Sequence, residues 1–288
     1  MKRLTYLSLA FVACVATYAA SSEARTELPT RARNGPIYFE KNNDLYAIDS
    51  NGAHLRPITR SRAQELDPTA SPDGSEIAFR SGSDEIFRIG VDGRNRVNLT
   101  RNGAHDLSPA WGPTGRIAFA STRGGTSAIW TMDRRGRRVR KVSPADGEYP
   151  AWSRDGKWLA FSRPSGATYD LWVMRSDGSR LKQLTNTIVV WEGLPSWAPD
   201  NRTIVFSRGD PNGGLGGRKL WTIDRDGGDL RRLTSGAGKD DFAPSWSPDG
   251  KSIAFTRNNT LFVMRADGTD VRSLGIRASL PDWGVRNG

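Results

Sequence analysis

Cysteine and histidine are nearly missing from this chain. One cysteine, Cys14, excludes an internal disulfide framework and a zinc site built on thiolates. His54 and His105 are the only histidines, so a histidine cluster is excluded and a Ser-His-Asp triad has poor material. No Gly-x-Ser-x-Gly elbow is present, and no Gly-rich loop is followed by Lys-Ser/Thr and a helix. No Asp-rich loop has the spacing of a calcium site. Helical periodicity is absent beyond the leader described next.

The chain has 288 residues and a net charge of +11, with 36% hydrophobic and 25% charged residues, which is a globular composition. Glycine (31) and proline (16) are frequent, as in a turn-rich all-β chain. Lys2 and Arg3 precede an apolar stretch from Leu4 to Val15, followed by small residues and two small-x-small cleavage sites, Thr17-Tyr18-Ala19 and Ser22-Glu23-Ala24. This reads as a secretory signal peptide over residues 1–24, followed by a polar linker over 25–33. The expected location is therefore periplasmic or extracellular. Two alternatives stand beside it: an uncleaved anchor, and a lipid anchor at Cys14 after Phe11-Val12-Ala13. After cleavage the chain keeps a net charge of +10 and has no cysteine.

The remainder is one unit repeated. Pro-x-Trp occurs at Pro109/Trp111, Pro150/Trp152, Pro195/Trp197, Pro244/Trp246 and Pro281/Trp283, and a sixth copy, Pro68/Ala70, has lost its Trp. A turn such as Ser247-Pro248-Asp249-Gly250 follows, then an apolar strand such as Ile253-Ala254-Phe255. Next comes a strand of the type Leu261–Met264, then a Gly turn, then a short strand ending in Thr or Ser. Four strands at a spacing of about 41 to 49 residues make the blade of a β-propeller. Five units are complete. The chain enters at the second strand of a sixth and ends on Pro281-Asp282-Trp283, so the last segment should supply the innermost strand of the first blade. The expectation is an all-β, six-bladed propeller over residues 34–284, in four-stranded blades closed by the C-terminal strand. The inner-strand Trp and the third-strand aromatics should stack between blades. Arg56, Arg140, Lys182, Arg231 and Arg272 should guard the outer strands against edge pairing.

Residues 238–274 carry Pro-Ser-Trp-Ser-Pro-Asp-Gly, Ile-Ala-Phe, an aliphatic-aromatic strand and an Asp-Gly turn in order. This pattern, recurring six times in register, resembles the WD40-like repeat of the TolB family. The resemblance implies a periplasmic propeller of the Tol–Pal envelope system that binds a peptidoglycan-associated lipoprotein at its channel mouth. That family carries an α/β domain before the propeller. Only about ten residues separate the expected cleavage site from the first strand here, so that domain is not expected. The same repeat also precedes peptidase domains, but a hydrolase domain is not expected here.

Strand direction places the stereotyped Asp-Gly turns on a lower face. The variable loops fall on an upper face, where function is expected. Acids stand just before the inner strands: Glu65, Asp106, Glu148, Glu192 and Asp241. Cations follow the second strands: Arg80, Arg123, Arg163, Arg208 and Arg257. Each acid should meet the arginine of its own blade, forming a ring of ion pairs that braces the mouth or recognises a partner. The loop 186–192 adds Ile188, Val189, Val190 and Trp191, which either pack on a neighbouring blade or form an exposed anchor. The Gly-rich loop 209–217 reads as an insertion. The run Arg134 to Lys141 is the densest basic segment, either a solvated hairpin or a site for an anionic envelope polymer. The combined expectation is an exported, non-catalytic module binding an envelope protein or an anionic polymer. No cofactor, metal or nucleic acid is expected, and the protein should be a monomer. The alternative is a carbohydrate-active or hydrolytic enzyme using channel-mouth carboxylates.

Overall fold

The computed structural model describes residues 33–209 and 217–286. The leader, Cys14 and most of the loop 209–217 lie outside the described residues. Blade 1 begins with β1 (Arg33–Lys41), β2 (Asp44–Ile48) and β3 (Arg56–Pro57). Blade 2 is β4 (Glu65–Ala70), β5 (Glu76–Ser81), β6 (Ile86–Gly90) and β7 (Val97–Asn98). Blade 3 is β8 (Asp106–Trp111), β9 (Arg116–Ser121), β10 (Ala128–Asp133) and β11 (Arg140–Asp146). Blade 4 is β12 (Glu148–Trp152), β13 (Trp158–Ser165), β14 (Thr168–Arg175) and β15 (Lys182–Gln183). Blade 5 is β16 (Glu192–Trp197), β17 (Thr203–Arg208), β18 (Lys219–Asp224) and β19 (Arg231–Arg232). Blade 6 is β20 (Asp241–Trp246), β21 (Ser252–Arg257), β22 (Thr260–Arg265) and β23 (Arg272–Arg277). The final strand, β24 (Ser279–Arg286), pairs with β1 and completes blade 1 as its innermost strand. The six four-stranded sheets are the propeller expected from the repeats.

The core lies between the blades. On each second strand an Ile or Leu and a Phe two residues later share one face, because side chains alternate along a strand. Phe39, Phe79, Phe119, Phe161, Phe206 and Phe255 are all 0% exposed. Burying one such ring contributes roughly 2–3 kcal/mol. Between them sits a smaller residue on the opposite face. Ala78, Ala118, Ala160, Val205 and Ala254 lie there, each packed against the Ile–Phe face of the next blade. Blade 1 departs from this rule, with Tyr38 in the small position and 2% exposed. It fills the space left where blade 2 has Ala70 instead of Trp, and the two pack in one cluster. The lost tryptophan of the second repeat is thus compensated from the neighbouring blade.

A second ring joins the blades at their inner strands. The middle residue of each Pro-x-Trp accepts a hydrogen bond from the Trp position of the next blade. Thr69, Ser196 and Ser245 use their hydroxyls, for the amides of Trp111 (3.1 Å), Trp246 (3.1 Å) and Trp283 (2.9 Å). Ala110 and Ala151 use their carbonyls, for the indole N–H of Trp152 (3.2 Å) and Trp197 (3.1 Å). Asp282 closes the circle, its Oδ2 accepting the Ala70 amide at 2.8 Å. The C-terminal strand therefore supplies one sheet edge and one link of this ring.

Local chemistry explains the turns and the bulges. In the Ser-Pro-Asp-Gly turns the Ser hydroxyl donates to the Asp carboxylate, as from Ser247 to Asp249 at 2.7 Å. The fourth position takes a left-handed conformation, at φ +72° in Gly250 and +59° where Asn201 replaces the glycine. Each inner strand carries a bulge whose residue before proline is also left-handed: Asp67, Ser108, Tyr149, Leu194, Ala243 and Leu280.

The third-strand aromatics differ from expectation. They are half-buried and lie on their own blade, with Phe79–Phe87 centroids 5.8 Å apart and Phe255–Phe262 centroids 5.7 Å apart. What covers them is a cation in every blade: Lys41 over Tyr46, Arg96 over Phe87, Arg123 over Trp130, Arg163 over Trp172, Arg208 over Trp221 and Arg257 over Phe262. The outer-strand cations are exposed, and several bridge to the next blade. Arg56 donates to the Val91 carbonyl at 2.8 Å and Lys182 to the Asp226 carbonyl at 2.6 Å.

Candidate functional site

The upper ends of the inner strands gather the acids, and cross-strand register decides which cation each one meets. The residue three before the inner-strand proline lies opposite the residue two after the second-strand phenylalanine. Asp241 faces Arg257 and Glu192 faces Arg208 in this way. Asp241 accepts two bonds from Arg257, at 2.5 and 2.8 Å. Asp106 accepts two bonds from Arg123, at 2.9 and 2.8 Å, as this arginine folds back from the following loop. Glu192 lies 3.1 Å from Arg208 and takes a further bond from Thr187. Asp106, Glu192 and Asp241 are all 0% exposed. Burial pushes the Glu192 carboxyl up, while hydroxyl bonds and Arg208 oppose that shift.

Two of the five expected pairs do not form, and register gives the reason. Arg80 stands one residue after Phe79, not two, so strand alternation turns it to the other face. There it binds Asp67 and Asp84, each at 3.0 Å. Glu65, itself 0% exposed, meets Arg96 at 2.8 Å instead. Arg96 comes from the turn between the third and fourth strands of the same blade and occupies the slot the other arginines hold. Glu148 stands two residues before Pro150, not three, and Gly147 occupies the position opposite Arg163. Glu148 therefore turns away from Arg163 and takes the Tyr169 hydroxyl as its donor. Among the described residues Arg163 keeps only its place over Trp172, at 4.6 Å.

A second set of acids at the start of the third strands, half-buried Asp44 and buried Glu85 and Asp170, holds the blade-to-blade links. Asp44 accepts the Ser61 amide (2.9 Å), Glu85 the Asn102 amide (2.9 Å) and Asp170 the Thr187 amide (3.0 Å). Sequence reading passed over these acids. Their signal is an acid one or two residues before the third-strand apolar run, with an acceptor-hungry loop after the closing Thr.

The mouth also holds groups that sequence reading did not single out. Asp67 lies in the left-handed bulge position before Pro68. Burial raises its carboxyl against the opposing charge of Arg80. Glu40 takes the strand position that Arg80 holds in blade 2. It buries one carboxylate oxygen without a hydrogen-bond partner. Burial first, then the charge of Asp67, pushes its pKa up to about 7. Burial and the carboxylates of Glu148 and Asp67 push the Tyr149 hydroxyl up to about 12. Glu40, Lys41, Asn43, Asn259, Arg277 and Ser279 line a cavity of about 350 Å³ beside the seam where the chain closes on itself. Among the described residues no three His, Cys, Asp or Glu converge to hold a metal ion.

The raised carboxyl of Glu40 predicts a pH dependence. Between pH 4.5 and about 7 the folded protein holds a proton that the unfolded chain has released. This contribution to stability is full below that window and is lost as pH rises through it. Glu40→Gln should melt above the parent at pH 8, with the difference vanishing towards pH 4.5. Melting curves across that range check it, and a parent–variant difference independent of pH would contradict it.

The loop 186–192 divides into an anchored half and an exposed half. Val190 is 2% exposed and Trp191 is half-buried against Gly193, whereas Ile188 is 86% and Val189 61% exposed. The other exposed large apolar side chains of the described residues, Leu55, Val139, Leu230 and Val271, range only from 36% to 43%.

Fold and site together define an all-β, six-bladed propeller whose upper rim is braced by buried acid–arginine pairs and capped by variable loops. Residues 80–227 match the family described as the TolB beta propeller domain, and the chain belongs to that family. It is 34% identical over 187 residues to the Tol-Pal system protein TolB of Anaeromyxobacter dehalogenans, covering 58% of this chain and 43% of that protein. It is 30% identical over 138 residues to the protein TolB homolog of Chlorobium luteolum, covering 46% of this chain and 31% of that one. The chain thus spans less than half the length of these curated relatives. Its fold is similar to the crystal structure of TolB from Acinetobacter baumannii, with a TM-score of 0.72 at 22% identity, covering 87% of this chain and 66% of that one.

Proposed function

We propose that the chain is an exported, non-catalytic propeller of the cell envelope that binds a protein partner through its upper face. The observation that carries this reading is the pair Ile188 and Val189, strongly exposed on a loop pinned beneath by Val190 and Trp191. An apolar tip on a rigid rim is the kind of feature that anchors a partner. The matched relatives, named as proteins of the Tol-Pal system, favour an envelope partner, and the resemblance favours one of the peptidoglycan-associated lipoprotein type. In this reading Glu65, Asp106, Glu192 and Asp241 do not touch the partner. They hold Arg96, Arg123, Arg208 and Arg257, which fix the loops around the mouth. Export by the leader, with a soluble mature chain beginning at Arg25, belongs to the same proposal. The mass of the mature protein tests it, and a lipid adduct on Cys14 would contradict it.

The experiment is an envelope pull-down with the mature chain beside Ile188→Ser/Val189→Ser. Both side chains are exposed, so the variant should melt with the parent. Retention of one discrete partner by the parent, with at least about a tenfold loss in the variant, is expected for a central apolar contact. Equal retention would contradict the reading.

A second reading, an enzyme working from channel-mouth carboxylates, is favoured by one observation. Glu40 holds a buried, unpartnered oxygen close enough to Asp67 to feel its charge. A hydrolytic turnover in the parent that disappears in Glu40→Gln would support it.

A further inference from the structure

The lower hairpins of the six blades share one device, and blade 3 departs from it. In the other five, an Asn or Asp just before the turn glycine accepts the backbone amide two residues on. Asn51 does this for Ala53, Asp92 for Arg94, Asp177 for Ser179, Asp226 for Gly228 and Asp267 for Thr269, at 2.9 to 3.0 Å. Blade 3 has Arg135 at that position. Its turn survives because Asp133, two residues earlier, accepts the amides of both Arg135 (2.9 Å) and Arg137 (3.0 Å). The hairpin keeps its shape while the charge at its tip is inverted.

The charge change is large. Residues 134–141 carry six cations and no carboxylate, while the equivalent segments of the other blades carry net charges between −1 and +1. Arg134 is engaged, bonding Glu76 of blade 2 at 2.7 Å. Arg135, Arg137, Arg138, Arg140 and Lys141 are exposed, and none makes an ion pair among the described residues. Arg116, at the start of β9, lies close enough that burial and then the charges of Arg140 and Arg138 lower its pKa. Among the described residues Asp133 is the one carboxylate that faces the group, feeling Arg138 and Arg137; the remaining excess of like charge carries a cost in repulsion that a bound polyanion would relieve.

We infer that the outer edge of blade 3, residues 135–141 with Arg116, is a docking strip for an extended polyanion, a polymer bearing closely spaced carboxylates or phosphates. The strip runs from a hairpin tip along the outermost strand. Its five exposed cations are spread over the hairpin tip and the first two residues of β11, which suits a chain of charges and not one small anion. The flat β edge presents only one exposed apolar side chain, Val139 at 36%, so it lacks the apolar wedge of a membrane-inserting surface. The strip is remote from the Ile188 loop in the fold's layout, on lower hairpin and outer strand, and stands independently of the upper-face proposal.

The test uses the mature chain and three variants. The first, Arg135→Ser/Arg138→Asn/Arg140→Ser, removes three charges from the strip. The second, Arg94→Ser/Arg180→Asn/Arg231→Ser, removes three from the hairpins and outer strands of blades 2, 4 and 5, so that net charge is matched. The third replaces the same three strip arginines with lysine. The probes are polygalacturonate, polyphosphate, inorganic phosphate and phosphatidylglycerol vesicles. Binding of either polymer should fall at least about tenfold in the first variant, with a shallower salt dependence, and stay within about twofold of the parent in the other two. Which polymer binds more tightly decides between carboxylate and phosphate. Equal loss in the two charge-matched variants would overturn the inference in favour of overall charge. So would absence of polymer binding, binding of vesicles alone, or inorganic phosphate competing as well as polymer at equal phosphate.

Discussion

Tyr38→Ala should destabilise the propeller by about 3–5 kcal/mol, the cost of deleting a large, fully buried aromatic side chain. The ring lies at the interface of blades 1 and 2, 2% exposed, in the position where four other blades have alanine. Facing it is Ala70, where the other inner strands have tryptophan. Ala70→Trp alone should also destabilise, by about 1–3 kcal/mol or more, because the indole would be driven into the Tyr38 ring. The two changes together should recover most of the loss, since they restore the small–large arrangement of the other interfaces. A double-mutant cycle on denaturation midpoints reads this directly, with a coupling of about 2 kcal/mol or more expected. Simple additivity would show that the two side chains do not share one space.

The second large effect is electrostatic. Arg257→Met should cost about 3–5 kcal/mol, because it strands the 0% exposed carboxylate of Asp241 without its bidentate partner. It also removes the guanidinium that lies over the Phe255 and Phe262 rings (5.2 and 5.1 Å to the centroids). Asp241→Leu/Arg257→Met should be markedly more stable than the single variant, as a buried pair replaced by apolar groups of similar size is often neutral. Arg163→Met should cost far less, since no carboxylate is left behind when it goes. Thermal melting of the three proteins checks the order. A double variant no better than Arg257→Met, or an Arg163→Met variant as damaged, would contradict the bracing role assigned to the pairs.

These contrasts show where the sequence was legible. The propeller follows from counting Pro-x-Trp copies and noting that the last copy has no second strand of its own. Asp282 and Trp283 close the ring as that count requires, on the strand that pairs with β1. The acid–arginine pairs were legible only where spacing from fixed markers held. Asp241 and Glu192 stand three before proline, with arginines two after phenylalanine, and they meet. Glu148 and Arg80 are each displaced by one residue, and a shift of one turns a strand side chain to the opposite face. The displacement was visible in the sequence, but its consequence depends on the bulge before each proline, which sets the cross-strand register. Arg96 and Tyr38 were not legible, because each supplies from elsewhere a function its own repeat position does not hold. Part of the net charge of +11 was legible as cations guarding the outer strands, and the ring-covering cations became explicable only with the structure. A cation covers the third-strand ring of every blade, and residues 135–141 hold the densest group of exposed cations without an ion pair among the described residues.

Photo-crosslinking in living cells tests the upper-face claim most directly. A photoreactive amino acid at position 188, on the exposed loop, is compared with one at position 229, on a lower hairpin. The account predicts one discrete protein adduct from position 188 and none from position 229. An adduct from position 229 with none from position 188 would contradict it.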